Sequence, residues 1–141
     1  MTRRLTHPAP PYPERVTALP CRAHLVELRM WAGHPLDAAV AQAFAAEGSE
    51  TGYLRLSDVT MSRLDFVRPA PAPGHGPVAW YSATTNLAPA HIDHAGLHLV
   101  RRNDAPFLHG HGIWRDETGH VHAGHLVGPD CRLARDVVVR G

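Results

Sequence analysis

Apolar residues along this chain follow two rhythms. Between residues 35 and 47 they recur every fourth position, Leu36, Val40 and Phe44 forming a stripe with Ala39 and Ala43 beside it. That is the spacing of an amphipathic helix covering one face of a sheet. Pro35 suits a first helical position, Asp37 complements the positive end of the helix dipole, and Gly48 supplies the stop. Elsewhere the pattern is that of strands. Residues 23–31 predict a first strand, ended by Gly33-His34-Pro35. Residues 52–56 and 59–67 predict two more, broken near Ser57-Asp58, and 78–84 a further one beyond a Pro- and Gly-rich loop at 68–77. Residues 86–93 read as a loop or short turn. The last third is the clearest, with strands over 96–102, 107–115, 120–127 and 133–140 and turns at Asn103–Pro106 and Asp116–Gly119. Together these elements predict an α+β fold: a twisted, largely antiparallel sheet with one main packed helix over about residues 35–47.

Composition narrows this picture. The chain has 141 residues, enough for one self-sufficient domain, expected over residues 21–141. Residues 1–20 contain Pro8, Pro10, Pro11, Pro13 and Pro20, which excludes helix and interior strand and predicts an extended arm. Fourteen basic residues, all arginine, face thirteen acidic ones. Such a balance speaks against strong nonspecific nucleic-acid binding, which needs a basic surplus or a concentrated patch. Cys21 and Cys131 lie far apart in sequence and match no metal or redox motif; they read as two reduced thiols. No run approaches the roughly 18 apolar residues of a membrane helix, so the expectation is a soluble, cytoplasmic protein without a membrane partner.

The chemistry concentrates in histidine. Of twelve, eight fall between residues 91 and 125. His109 and His111 are one residue apart on a predicted strand, so both rings leave the same face, and Gly110 and Gly112 flank them. Asp116-Glu117-Thr118-Gly119 suits a type I turn closed by Gly119 in the left-handed conformation. Pairing Arg115 with His120 puts His111 opposite Gly124, and one extra residue bulged at Gly124 would bring His125 across from His111. Three imidazoles meeting on one sheet face match a zinc site with an open fourth position, at bonds of about 2.0–2.1 Å. Iron, nickel, manganese and cobalt also accept imidazole. His122 is a reserve ligand, and His98 could orient a ligand or carry a proton. Asp116 and Glu117 are the nearest acids, expected to be solvated in their turn. Arg115, Arg132 and Arg135 could meet an anion, but read best as surface charge. No Ser-His-Asp spacing, nucleophile elbow or phosphate loop is present.

The stretch from Pro106 to Leu126, with its His-Gly-His pair, acidic turn ending in Gly119 and Ala123-Gly124-His125-Leu126, resembles the hallmark of the plant-and-prokaryote-conserved (PPC) domain. Arg22-Ala23-His24, the helix at 35–47 and Thr51-Gly52-Tyr53-Leu54-Arg55-Leu56-Ser57 are similar in kind to that family's opening elements. The resemblance implies a homotrimer in which His109, His111 and His125 bind a divalent metal, zinc first. It also implies a similarity of fold to acetolactate decarboxylase, which holds zinc on three histidines; architecture alone transfers no chemistry. The family is commonly labelled DNA-binding, yet this chain has no Arg-Gly-Arg-Pro hook. Two functions follow as expectations. One is a metal-binding PPC-type protein with a DNA-linked or regulatory role resting on the resemblance. The other is a metal-dependent lyase or hydrolase acting on a small carboxylate or carbonyl compound, with a deep pocket at the site. The alternative to both is an ion that only steadies the trimer.

Overall fold

The helix and strands are seen in a computed structural model, which describes residues 16, 18, 20–72 and 80–141. Most of the proline-rich arm therefore lies outside the described residues. The element order is β1 (Glu27–Met30), α1 (Leu36–Ala46), β2 (Gly52–Val67), β3 (Thr85–Leu87), β4 (Ala90–Arg102), β5 (Ala105–Arg115), β6 (Val121–Leu126), a short 3-10 turn (Gly128–Asp130), β7 (Arg132–Leu133) and β8 (Val137–Arg140). This is the α+β architecture that the two rhythms predict. The helix buries Leu36, Ala39, Val40, Ala43 and Phe44, and Pro35 stands at its N-cap, one position before the first helical residue.

The main sheet runs β3-β2-β4-β5-β6 through antiparallel neighbours, and β6 returns to the end of β2 to curl the sheet on itself. One face is the core. Leu54 and Leu56 of β2, Ala95, Leu97 and Leu99 of β4, Leu108 and Trp114 of β5 and Leu126 of β6 are all buried there. The residues alternating with them form an outer face, because side chains along a strand point to opposite sides. β1 and β8 pair with each other as a separate ribbon.

Several boundaries differ from the sequence reading. The first strand is shorter than 23–31, because residues 21–25 are exposed and unpaired. The two strands expected around Ser57-Asp58 are one sixteen-residue strand. Asp58 takes a left-handed φ of 62°, which aspartate tolerates, and pairing with β4 resumes at Val59. Of the strand expected at 78–84, residues 78 and 79 lie outside the described residues. Residues 80–84 contribute only a bridge from Tyr81 to Pro69, and the strand falls at Thr85–Leu87 instead. The loop expected over 86–93 is mostly strand: β4 begins at Ala90 and pairs with β2. The strand expected at 133–140 is two pieces that leave the meander, β7 pairing with β2 and β8 with β1. Periodicity could not show this, since it reports a face and not a partner.

Asp65 is the main buried charge, 4% exposed. Arg63 grips it from Nε at 3.0 Å and from the guanidinium tip at 2.9 Å, and the Asn86 side chain donates to it from β3. Its own carbonyl accepts from Val127 N–H at 2.9 Å and from the Cys131 thiol at 3.4 Å. Burial pushes that thiol up to about 11, so it stays protonated. The Arg63 hydrogen bonds hold the Asp65 carboxyl below its usual range against the opposing effect of burial.

A folded-state value below the unfolded one means that the stabilisation is full above about pH 4 and fades as the pH falls through the folded value. Asp65→Asn keeps the shape but removes the charge that Arg63 grips. It should cost on the order of 1–3 kcal/mol at pH 7, with the gap from wild type closing as the pH falls below about 4 and through the lowered folded-state value. Urea unfolding across that range checks this; a gap that stays constant with pH would contradict it.

Candidate metal centre

The β5–β6 hairpin carries the site. Asp116 N–H donates to the His120 carbonyl at 3.1 Å, leaving Glu117, Thr118 and Gly119 as a three-residue loop. Gly119 sits at φ 84°, the left-handed position such a loop requires. The extra residue is therefore absorbed at the turn and not at Gly124, which pairs regularly with Gly112. Arg115 then pairs with Val121 rather than His120, and His111 comes directly opposite His125. The turn is fastened by Asp116, whose carboxylate accepts from Thr118 N–H (2.9 Å), Thr118 Oγ1 (2.6 Å), His120 N–H (3.0 Å) and His122 Nε2 (2.8 Å). The Thr118 hydroxyl first, then His122, hold that carboxyl well below the usual carboxylate range. Asp116 is thus a structural anchor of the hairpin and not the solvated acid that its position in a turn suggests.

His109, His111 and His125 all project from the outer face. Their ring centroids lie 4.7 Å (His109–His111), 4.9 Å (His109–His125) and 4.8 Å (His111–His125) apart. His125 Nδ1 and His111 Nε2 are 3.2 Å apart, and one ring nitrogen from each of the three lies within 4.8 Å of the others. Tetrahedral bonds of about 2.0–2.1 Å separate ligand atoms by roughly 3.3 Å, so one pair already has the needed spacing and the third ring needs only a small rotation. Partial burial first, then the neighbouring histidines, lowers the pKa values of His111 and His125. Both are held toward the neutral form that binds a metal.

The two glycines beside the pair point inward. A Cβ on Gly110 would stand 2.3 Å from a Leu97 methyl, and one on Gly112 2.5 Å from the His94 carbonyl. The close approach that they mark is the core of the sheet and not a ligand.

The other histidines have separate roles. His98 shares the outer face and lies directly across from His109, but its ring rests on Tyr53 at 4.7 Å. His122 faces the opposite side from His125: it pairs with buried Trp114, packs edge-on against Phe66 and bonds Asp116. It cannot act as a reserve ligand from there. His91 bonds Asp58, and His94 meets Arg55 and Ser57.

Arg115 pairs with Asp93, as a surface charge would. Sequence reasoning did not single out Tyr81, whose ring lies 5.7 Å from that of His125, or Arg55 and Tyr53, which share the outer face. Only the strand register, invisible in a linear pattern, places them there. The trio lies on an open face, and three cavities of the described chain, beside Cys21–Val26, beneath Trp31 and near Pro89, do not include it. Among the described residues no helix is long and apolar enough to cross a membrane.

No protein-family model matches the sequence, and no curated protein does. Solved structures do share its fold. A metal-containing protein from Archaeoglobus fulgidus superposes with a TM-score of 0.63 at 16% identity, over 84% of this chain and 77% of that one. A PPC protein from Pyrococcus horikoshii gives 0.62 at 18% identity, over 89% and 82%. A candidate DNA-binding protein from Bacteroides thetaiotaomicron gives 0.59 at 11% identity, over 86% and 78%. The chain thus has the fold of a plant- and prokaryote-conserved protein.

Proposed function

We propose that this protein is a metal-binding domain in which His109, His111 and His125 hold one divalent cation, zinc first among the candidates, with its open side available to a small ligand. The observation that carries the reading is the convergence of three ring nitrogens within 4.8 Å, one pair at 3.2 Å. A structurally similar protein named as metal-containing supports it. A cation held this way supplies Lewis acidity toward a carbonyl or carboxyl oxygen. The rings supply neutral donors, and the hairpin loop fixes their register. The open face favours a binding centre over the deep pocket of a lyase or hydrolase, unless a second copy of the chain covers it.

Such a cover fits the face. Tyr53, Val100, Ile113 and Val121 all expose apolar surface on the histidine side, spread along the face on either side of the imidazoles, and a second copy laid over the face would bury it. We take the homotrimer implied by the sequence resemblance as the assembly. A DNA-linked role remains a second reading, favoured by a structural neighbour named as a candidate DNA-binding protein and opposed by a net charge of +1.

Four measurements test these readings. Metal analysis of purified protein should find about one equivalent per chain, and His109→Ala should lower the affinity at least tenfold, as losing one of three ligands implies. Chelation should lower the melting temperature of wild type but not of the variant. Equal metal content in both proteins would overturn the assignment. Light scattering should give three times the chain mass; a monomer at micromolar concentration would exclude the trimer. The DNA reading predicts duplex retardation at about 50 mM salt that weakens steeply by about 200 mM; no retardation at the lower salt excludes it.

A further inference from the structure

Four residues recur at every second position along β1 and its two ends: Leu25, Glu27, Arg29 and Trp31. Leu28 and Met30, which alternate with them, are fully buried, so the four share the solvent side. Leu25 is 77% exposed and Trp31 50%, and neither belongs to the histidine face. The Arg29 guanidinium lies over the Trp31 ring at 5.8 Å. Among the described residues neither Glu27 nor Arg29 has an ion-pair partner, and Arg140, opposite Glu27 on β8, makes none with it.

The backbone of the same residues is unpaired on one side. Val26 N–H donates to the Gly141 carbonyl at 2.9 Å, and Gly141 N–H donates to the Val26 carbonyl at 3.0 Å. In an antiparallel ladder such exchanging pairs alternate with pairs whose backbone groups point away from each other. Leu28 and Met30 therefore bond across to Val139 and Val137, while the N–H and C=O groups of Glu27 and Arg29 face the other edge. Among the described residues no strand lies on that edge. The flank of α1 runs beside it, where the short side chains of Ala43 and Ala46 leave a groove of about 330 Å³. What such an edge recognises is another extended backbone.

The order apolar, acidic, basic, apolar is complementary to itself when read backwards. In a twofold antiparallel pairing centred on Leu28, Glu27 stands opposite Arg29 of the second copy and Leu25 opposite its Trp31, and the reverse holds by symmetry. The same register sets outward-facing backbone groups against each other, so Glu27 and Arg29 exchange both hydrogen bonds with their opposites. Charges on a strand edge ordinarily repel a second strand. Centring the pairing on Glu27 or Arg29 would set like charges together, whereas centring it on Leu28 joins opposite ones. We infer that the free edge of β1 is a docking surface for β1 of a second copy of this chain, joined by strand addition in the register centred on Leu28. The contact is isologous, the same patch on both sides. It lies apart from the histidine face, and a twofold contact cannot close a threefold ring. It is therefore distinct from the trimer proposed above and does not rest on the metal centre.

A contact of this length falls at the small, weak end of protein interfaces, so the test follows mass by light scattering from about 10 μM to 1 mM. The wild-type mass should rise to at least twice its value at the lowest concentration. Glu27→Arg and Arg29→Glu should each raise the concentration needed by roughly tenfold, because each sets like charges together at both crossing points. The double variant should pair as wild type does. So should an equimolar mixture of the two single variants, in which opposite charges meet again. Amide hydrogen exchange at Glu27 and Arg29 should slow as the concentration rises, while Leu28 and Met30, already bonded to β8, stay unchanged. Melting temperature and metal uptake at the lowest concentration should match wild type in every variant. A mass that stays constant across the range would overturn the proposal and leave the edge to another occupant, a foreign extended peptide or a segment of the chain itself. Pairing that both single variants retain, or that neither the double variant nor the mixture restores, would overturn it as well.

Discussion

The register of the β5–β6 hairpin is the constraint on which the rest depends. One residue at the turn decides whether His125 stands opposite His111 or beside it. Because strand side chains alternate, a slip of one position would turn His125 into the core and His122 outward. The three-residue loop, closed by Gly119 at positive φ and fastened by Asp116, settles that choice. The meeting of the three imidazoles is thus set by backbone geometry several residues away.

The same alternation divides the sheet into two functions. Its inner face carries Leu97, Leu108, Trp114 and Leu126 with the inward-facing glycines, and it packs to exclude water. Its outer face gathers Tyr53, Arg55, His98, His109, His111 and His125. Burial on one side fixes the register, and the fixed register aims the polar side chains on the other. The stability of the core and the placement of the site are therefore one property of the sheet. This also explains why Gly110 and Gly112 matter without touching any ligand: a larger residue at either would push β5 away from β4 and displace the histidines that alternate with it.

An open sheet face differs from the enclosed pocket of a typical small-molecule site. What it offers is a group of three imidazoles on a face that also carries exposed apolar residues, Tyr53 and Ile113 among them. Assembly over this face would add the missing wall and exclude water, strengthening each charge interaction within it. A binding centre and a reactive one differ here mainly in what covers the sheet.

Much was legible in the linear chain, and the reason is local. The stripe of Leu36, Val40 and Phe44 specified the helix, and the spacing of His109 and His111 put both rings on one face whatever the neighbours. The Asp116–Gly119 turn specified a hairpin that returns a third histidine close to them. These are short-range consequences of the 3.6- and 2-residue periods and of turn chemistry. What only the tertiary structure decided was pairing between distant segments. β2 had to be laid against β4 before Arg55 could reach the row of His111, and β7 and β8 had to leave the meander for β2 and β1. Periodicity says which face a residue occupies and never which strand lies beside it, because partner choice is settled by the shape and burial of the whole core.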